Sequence, residues 1–254
     1  MSFGEPHEHH DSIDSTNTRA RELAAEGAEH GTVVTADEQT AGRGRQGRTW
    51  TAPPGKALLY SAIVRPLDER HLMLPLAVPL AVCEAAEELR PDIECGVKWP
   101  NDIQIDGRKL AGVLVEARPQ DSWAVIGIGL NLTISPEEFP PDLQDKAVSI
   151  FTSDKGGRGG TRQASPLFAQ VGPPTTPLTA AEVLNRHLDH WVELDPNTVL
   201  TAWRQRDALK GREVAWDGGS GVADGVDDRG YLLVRTPGGD RIAVGAGEVH
   251  LTRS

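Results

Sequence analysis

Gly42-Arg43-Gly44-Arg45-Gln46-Gly47-Arg48 sets three guanidiniums and three glycines into seven residues, with the nearest carboxylates, Asp37 and Glu38, outside the segment. Arginine presents bidentate donors to carboxylate and phosphate oxygens, and glycine lets backbone approach a ligand or move over it. The chemistry this suits is a flexible clamp on an anion, with a solvated loop as the bland alternative. Further on, Lys98-Trp99-Pro100-Asn101-Asp102 precedes Lys109, which opens the run KLAGVLVE. By the two-residue period of a strand, Lys109 shares a face with Ala111 and Val113, so its ammonium is expected to emerge at the strand's start beside the Asp102 turn. A structural Lys–Asp pair would account for that much. Gly112 within the same strand adds a sign of close approach by a ligand or a second backbone. Asp14-Ser15-Thr16-Asn17 falls at a helix start and supplies the Ser15 and Thr16 hydroxyls there, where Ser or Thr also caps free N–H groups. Taken together these residues make a site for an anion and a polar small molecule, which points to nucleotide or acyl-phosphate chemistry.

These residues need elements to hold them. Ala20, Leu23 and Ala24 recur at helical spacing and Gly27 supplies a stop, so a helix is expected from Ser15 or Thr16 through about Glu26. A short strand is expected at Val33 and Val34, a loop over Glu38–Arg48, a buried strand over Leu58–Val64 and a helix over about Pro75–Leu89. Val97–Lys98, Ile103–Ile105, Leu110–Glu116 and Trp123–Leu132 read as a strand meander, with Asp106-Gly107 as the tight turn of a hairpin. Hairpin-length connections cannot make parallel crossovers, so the sheet is expected to be largely antiparallel. Helices are expected over Ala180–Leu194 and Val199–Leu209, after a Gly- and Pro-rich stretch over 152–177 that reads as a mobile insert. From Gly211 five short β-prone runs separated by DGG, DDRG and PGGD give the pattern of a small barrel. The organisation expected is therefore a first domain over 1–210 and a second over 211–254. Residues 1 to 13, with His7, His9 and His10, read as a frayed terminus in preference to a metal-binding tract.

Composition narrows the function. In 254 residues, 37 acidic and 26 basic side chains give a formal charge of −11, which argues against a surface that tracks a nucleic-acid backbone. The longest apolar stretch, Leu72–Val82, is about half a membrane span and is interrupted by Pro75 and Pro79. No basic, then apolar, leader opens the chain. Cys83 and Cys95 form neither a CxxC pair nor a disulfide framework, which fits packed thiols in a reducing cytoplasm.

With DSTN at 14–17, QTAGRGRQGRTW at 39–50, KWPND at 98–102, KLAGVLVE at 109–116 and GIGLNL at 127–132, in that order, the sequence resembles the biotin protein ligase family. The resemblance is strong over about 11–151 and looser beyond. It implies an α/β (α+β) fold, a mixed and largely antiparallel sheet flanked by helices, followed by an SH3-like barrel. It implies a two-step reaction in which biotin and MgATP give biotinyl-5′-AMP and pyrophosphate, and the adenylate then acylates a lysine on the biotin carboxyl carrier domain of a carboxylase. ATP and biotin are thus substrates and Mg²⁺ is required; its ligands are not indicated.

The resemblance also implies roles. Arg43 and Arg45 occupy the loop positions that hold the biotin carboxylate and phosphoryl group, with Arg48 beside them on the nucleotide side, and the loop closes over the mixed anhydride. Lys109 is the electrostatic catalyst for the carboxylate and α-phosphate oxygens. Ser15, Thr16 and Gln39, with backbone at Gly112, hydrogen-bond the ureido ring. Trp50 stacks on adenine and Asn131 bonds its edge. Asp102 orients or deprotonates the incoming amine, while Lys98 and Asn101 support the turn and contact the nucleotide. The chain begins about a dozen residues before DSTN, which leaves no room there for the DNA-binding domain of repressor-type members, so no DNA partner is expected. Exposed sheet edges suit the acceptor or a second copy, and a homodimer is compatible with either. Two rival readings stand beside this one: a lipoate or octanoyl ligase, a group that lacks the GRGRQGR and KWPND pair, and a non-catalytic biotin sensor.

Overall fold

The computed structural model describes residues 2–151, 175–245 and 249–251. Seven strands form one sheet: β1 (His7–Ile13), β2 (Val33–Gln39), β3 (Ala57–Val64), β4 (Gly96–Lys98), β5 (Asp102–Ile105), β6 (Arg108–Arg118) and β7 (Trp123–Asn131), in the order β1-β2-β3-β7-β6-β5-β4. Every pairing is antiparallel except β1 with β2, which is parallel. Helix α1 (Thr16–Ala25) supplies the crossover between those two parallel strands, as parallel neighbours require. The Arg65 guanidinium caps its C-terminal end, donating to Ala24 O at 2.8 Å, and reaches Ala28 O in the turn that follows at 2.9 Å. On the far face α2 (Leu74–Leu89), α3 (Pro177–Trp191) and α4 (Pro196–Gln205) cover the apolar side chains of the sheet. All eight residues of β3 are buried, so it reads as a continuous apolar run and not as an alternation.

Three expectations change. Residues 7–13 are a strand, not a frayed end; alternating polar side chains hide it, because β1 is an edge strand whose stability comes from pairing with β2. Thr35 Oγ1 bonds both His7 Nε2 (2.7 Å) and His9 Nδ1 (2.9 Å), and burial together with the neighbouring His9 holds the His7 ring below the usual histidine range. For the same reason β2 runs on through Gln39, so Glu38 and Gln39 are strand and not loop. The third change is at Lys109. The β5–β6 register slips by one between Ile103 and Gln104, pairing Ile103 with Ala111 but Gln104 with Lys109. The bulge leaves Leu110 unpaired and breaks the period of two. Ala111 and Val113 are buried, and Lys109 instead lies with Gly112, whose β-carbon position would be 3.3 Å from Lys109 Nζ.

The stretch over 152–177 falls outside the described residues as far as 174; Thr176 and Pro177 already belong to the start of α3, where the Thr176 hydroxyl accepts from Thr179 N. Beyond α4, β8 (Glu213–Trp216), β9 (Gly219–Val226), β10 (Leu232–Arg235), β11 (Arg241–Val244) and β12 (His250–Leu251) form a second, antiparallel sheet of order β11-β10-β9-β8-β12. Val214, Ala223, Leu232 and Val234 join the same apolar cluster as the large sheet and its helices. The Trp99 indole donates to Gly230 O at 3.0 Å, tying the KWPND turn to the β9–β10 turn. No helix among the described residues is long and apolar enough to cross a membrane.

Candidate active site

One cavity of about 180 Å³ gathers the N-terminus of α1, the end of β2, the Gly/Arg loop, the KWPND turn and the middle of β6 and β7. Ser15, Thr16, Gln39, Arg43, Arg45, Arg48, Trp50, Lys98, Asn101, Asp102, Lys109 and Gly112 all line it. Residues far apart in sequence thus meet in one place.

At one end the wall is buried and polar. Ser15 occupies the N-cap position of α1, yet its hydroxyl makes no capping bond and is buried with no partner among the described residues. Gln39 does the capping instead: its Oε1 accepts from Thr16 N at 2.8 Å and from the Thr16 hydroxyl at 3.1 Å. The Ser61 hydroxyl donates to Asn17 Oδ1 at 2.6 Å and lies 2.8 Å from Thr16 Oγ1. Gly127 makes room for this arrangement, since a β-carbon there would lie 1.9 Å from Asn17 Oδ1. A buried hydroxyl without a partner costs free energy unless a ligand or water completes it, so this wall is prepared for a polar neutral group.

At the other end the loop forms a small hairpin. Trp50 N donates to Gly42 O, Gly44 N to Arg48 O, and Arg43 pairs with Thr49 across it. Gln46 (φ 55°) and Gly47 (φ 74°) make the reversal in the left-handed region. A β-carbon on Gly42 would lie 2.3 Å from Trp50 O, so close backbone approach fixes glycine there. Arg43 bonds Glu116 at 3.2 Å. The Trp50 indole lies over the cross-strand pair Gly112 and Gly129, with its Nε1 buried and unpartnered among the described residues.

Between the two ends, Lys109 Nζ is 2.6 Å from Asp102 Oδ1 and 5.5 Å from the centre of the Trp50 ring. The Lys98 side chain lines the cavity with no ion pair or hydrogen bond to any described residue. Asn101 braces the turn, its Nδ2 donating to Val113 O at 2.8 Å and its O accepting from Val113 N at 3.0 Å. Asn131 is the exception. It is buried outside the cavity lining and its amide donates to Val148 O at 3.0 Å, so this arrangement gives no support to the adenine contact expected of it.

Several functional positions were not foreseen. Asn17, Gly127 and Gly129 line the cavity, and Ser61 and Glu116 hold Asn17 from behind. Their signal was present for Gly127 and Gly129, two glycines at strand spacing in an otherwise apolar run, and for Glu116, the one charge ending that of β6. Ser61 carried none. The described cluster of metal-ligating types, His9 with Asp11 and Asp37, is on β1 and β2 and does not line the cavity.

The model of the biotin/lipoate A/B protein ligase family matches residues 10–132, and that of the biotin protein ligase C-terminal domain matches 211–251. A biotin–[acetyl-CoA-carboxylase] ligase from Mycobacterium tuberculosis is 35% identical over 247 residues, covering 92% of this chain and 85% of that protein. This chain belongs to the biotin protein ligase family. A bifunctional ligase/repressor, BirA, of Bacillus subtilis is 40% identical over 162 residues, 61% of this chain, and the chain matches 50% of its length. A crystallised biotin protein ligase from Aquifex aeolicus, in complex with biotin and ATP, superposes with a TM-score of 0.74 at 28% identity, covering 99% of this chain and 100% of that one. The fold, a mixed sheet flanked by helices with a C-terminal antiparallel sheet, is that of biotin protein ligases.

Proposed function

We propose that this biotin protein ligase uses MgATP to convert biotin to biotinyl-5′-AMP and pyrophosphate, then passes the biotinyl group to a lysine of a biotin carboxyl carrier domain. The observation that carries the reading is the Lys109–Asp102 pair, 2.6 Å apart, set in a cavity with a buried neutral wall on one side and three arginines on the other. In the first step a biotin carboxylate oxygen attacks the α-phosphorus and pyrophosphate leaves. Two anions must meet, and Lys109, Arg43 and Arg45 supply fixed positive charge to the oxygens between them. In the second step the acceptor amine attacks the acyl carbon, AMP leaves, and the amine's proton passes toward Asp102, whose carboxylate is at the cavity's turn.

Ser15, Thr16 and Gln39 bond the ureido ring, the Ser15 hydroxyl gaining the partner it lacks. A site with such donors and acceptors rejects analogues that leave them unpaired, which sets biotin against lipoate. Trp50 offers its indole face, and Arg48, Lys98 and Asn101 the polar contacts, to the nucleotide. Among the described residues Asp102 is the one carboxylate of the lining, and it is already engaged by Lys109. That donor set suits Mg²⁺ that enters bound to the triphosphate and keeps its waters. The boundary between the catalytic and C-terminal domains falls at 210/211, and the buried thiols Cys83 and Cys95 suit a reducing cytoplasm.

The test is transfer to an acceptor. Incubated with biotin, MgATP and an unmodified carrier domain, the protein adds one biotinyl group to a single lysine, seen by mass spectrometry. It adds none when a chelator removes Mg²⁺ or when the acceptor lysine is replaced by arginine. Binding of biotin without any transfer would favour the sensor reading instead.

A further inference from the structure

Glu116 sits on β6 two residues beyond Leu114 and four beyond Gly112, on the face that lines the cavity, yet is itself outside the lining. Its carboxylate collects three donors: Asn17 Nδ2 at 3.0 Å, Arg21 Nη1 at 3.1 Å and Arg43 Nη1 at 3.2 Å. Asn17 is held at its other end by the Ser61 hydroxyl, and Ser61 lies against Thr16, which bonds Gln39. One connected set of hydrogen bonds therefore runs from the neutral wall through Glu116 to the first arginine of the loop.

We propose that Glu116 is a positioning residue for adenylation, a role that rests on the ligase reading above. It presents Arg43 to the ligand from behind and fixes the Asn17 amide so that its oxygen faces Ser61. Three features support this. Arg43 is on an exposed loop, and a long side chain there has many rotamers to lose; an ion pair formed before the ligand arrives removes part of that loss. Glu116 is the less exposed partner, 22% against 39% for the Arg43 side chain, so the fixed member is on the sheet and the movable one on the loop. Arg21 and Asn17 keep Glu116 paired when the Arg43 guanidinium turns to a ligand oxygen, so the transfer leaves no half-buried carboxylate without a partner.

The experiment is a double-mutant cycle on biotin-dependent pyrophosphate exchange, with Glu116→Gln, Arg43→Ala and the double variant, alongside limited trypsin digestion of the ligand-free wild type and Glu116→Gln. Glu116→Gln is expected to lower kcat/KM for exchange by about tenfold to about a hundredfold, and to add almost nothing once Arg43 is alanine. Trypsin is expected to cut within 43–48 several times faster in Glu116→Gln. Losses that multiply in the double variant, or cleavage at the wild-type rate, would overturn the proposal. If the wild type shows no exchange, the ligase reading fails, and the trypsin comparison alone decides whether Glu116 holds the loop. Thermal melting accompanies each variant. Should Glu116→Gln melt early, Glu116→Asp, which keeps the charge but retracts it by one methylene, carries the same cycle and the same digestion.

Discussion

The wall built from Ser15, Thr16, Asn17 and Ser61 is buried and hydrogen-bonded except at the Ser15 hydroxyl, whereas the rim carrying Arg43, Arg45 and Arg48 is largely exposed and is braced by the hairpin's backbone bonds and the Arg43–Glu116 pair. The wall is made by a helix start against strands β2, β3 and β7; the rim is a hairpin turned on Gln46 and Gly47. The contrast fits what each would meet under the proposed function. A neutral urea is selected by donors and acceptors already in place, because an unpaired buried group penalises the wrong ligand. A triphosphate and a carboxylate need charge, and the charge has to admit one substrate and then cover the product. Lys109 stands between them, held by a bulge in β6 and by Asp102.

The largest effect should come where the two halves join. Lys109→Ala is expected to fold normally and to lose about a hundredfold to a thousandfold in kcat/KM for adenylate formation, the scale of one preorganised charge or donor. Retained exchange would remove Lys109 from the chemistry. Next, Thr16→Val deletes the hydroxyl's bond to Gln39 while keeping the backbone one and the shape, and should weaken biotin binding by about tenfold or more in calorimetry while leaving ATP binding unchanged. Gly127→Ala sets a β-carbon where Asn17 Oδ1 now lies and should cost about 1 to 3 kcal/mol in urea unfolding, together with weaker biotin binding. Salt separates the two ends without mutation: raising ionic strength should weaken ATP binding several-fold through the exposed arginines, and weaken biotin binding less, since a triphosphate carries several charges against those cations and biotin a single carboxylate.

The smallest effect lies outside both walls. Burial pushes the Asp207 carboxyl above the usual carboxylate range, and its Oδ2 has no partner among the described residues. A raised folded-state value means that the contribution is present below the ordinary carboxylate value and is lost as pH rises through the raised one. Asp207→Asn should therefore gain on the wild type as pH rises above about 4, by about 2 to 4 °C in melting temperature.

Much of this was legible in the sequence because local signals and fold agree. Asp106-Gly107, both at positive φ, marks the β5–β6 hairpin, and the five short runs after Gly211 all became strands. What escaped was set by contacts distant in sequence. β1 is polar on both faces and exists through its pairing with β2; the bulge at Leu110 has no signature in the run KLAGVLVE. Arg43, Arg45 and Lys109 were readable as chemistry from their charge and glycine setting. Ser61 was not, since one serine within an apolar strand says nothing until Asn17 and Thr16 are brought to it.

The central claim is that one cavity brings a carboxylate selected by its neutral end to a triphosphate held by its cationic end. The direct measurement is ATP–pyrophosphate exchange by the purified protein with Mg²⁺, comparing biotin, lipoate and no acid. The account predicts exchange with biotin alone. Exchange with lipoate, or folded protein that binds biotin and supports no exchange, would contradict it.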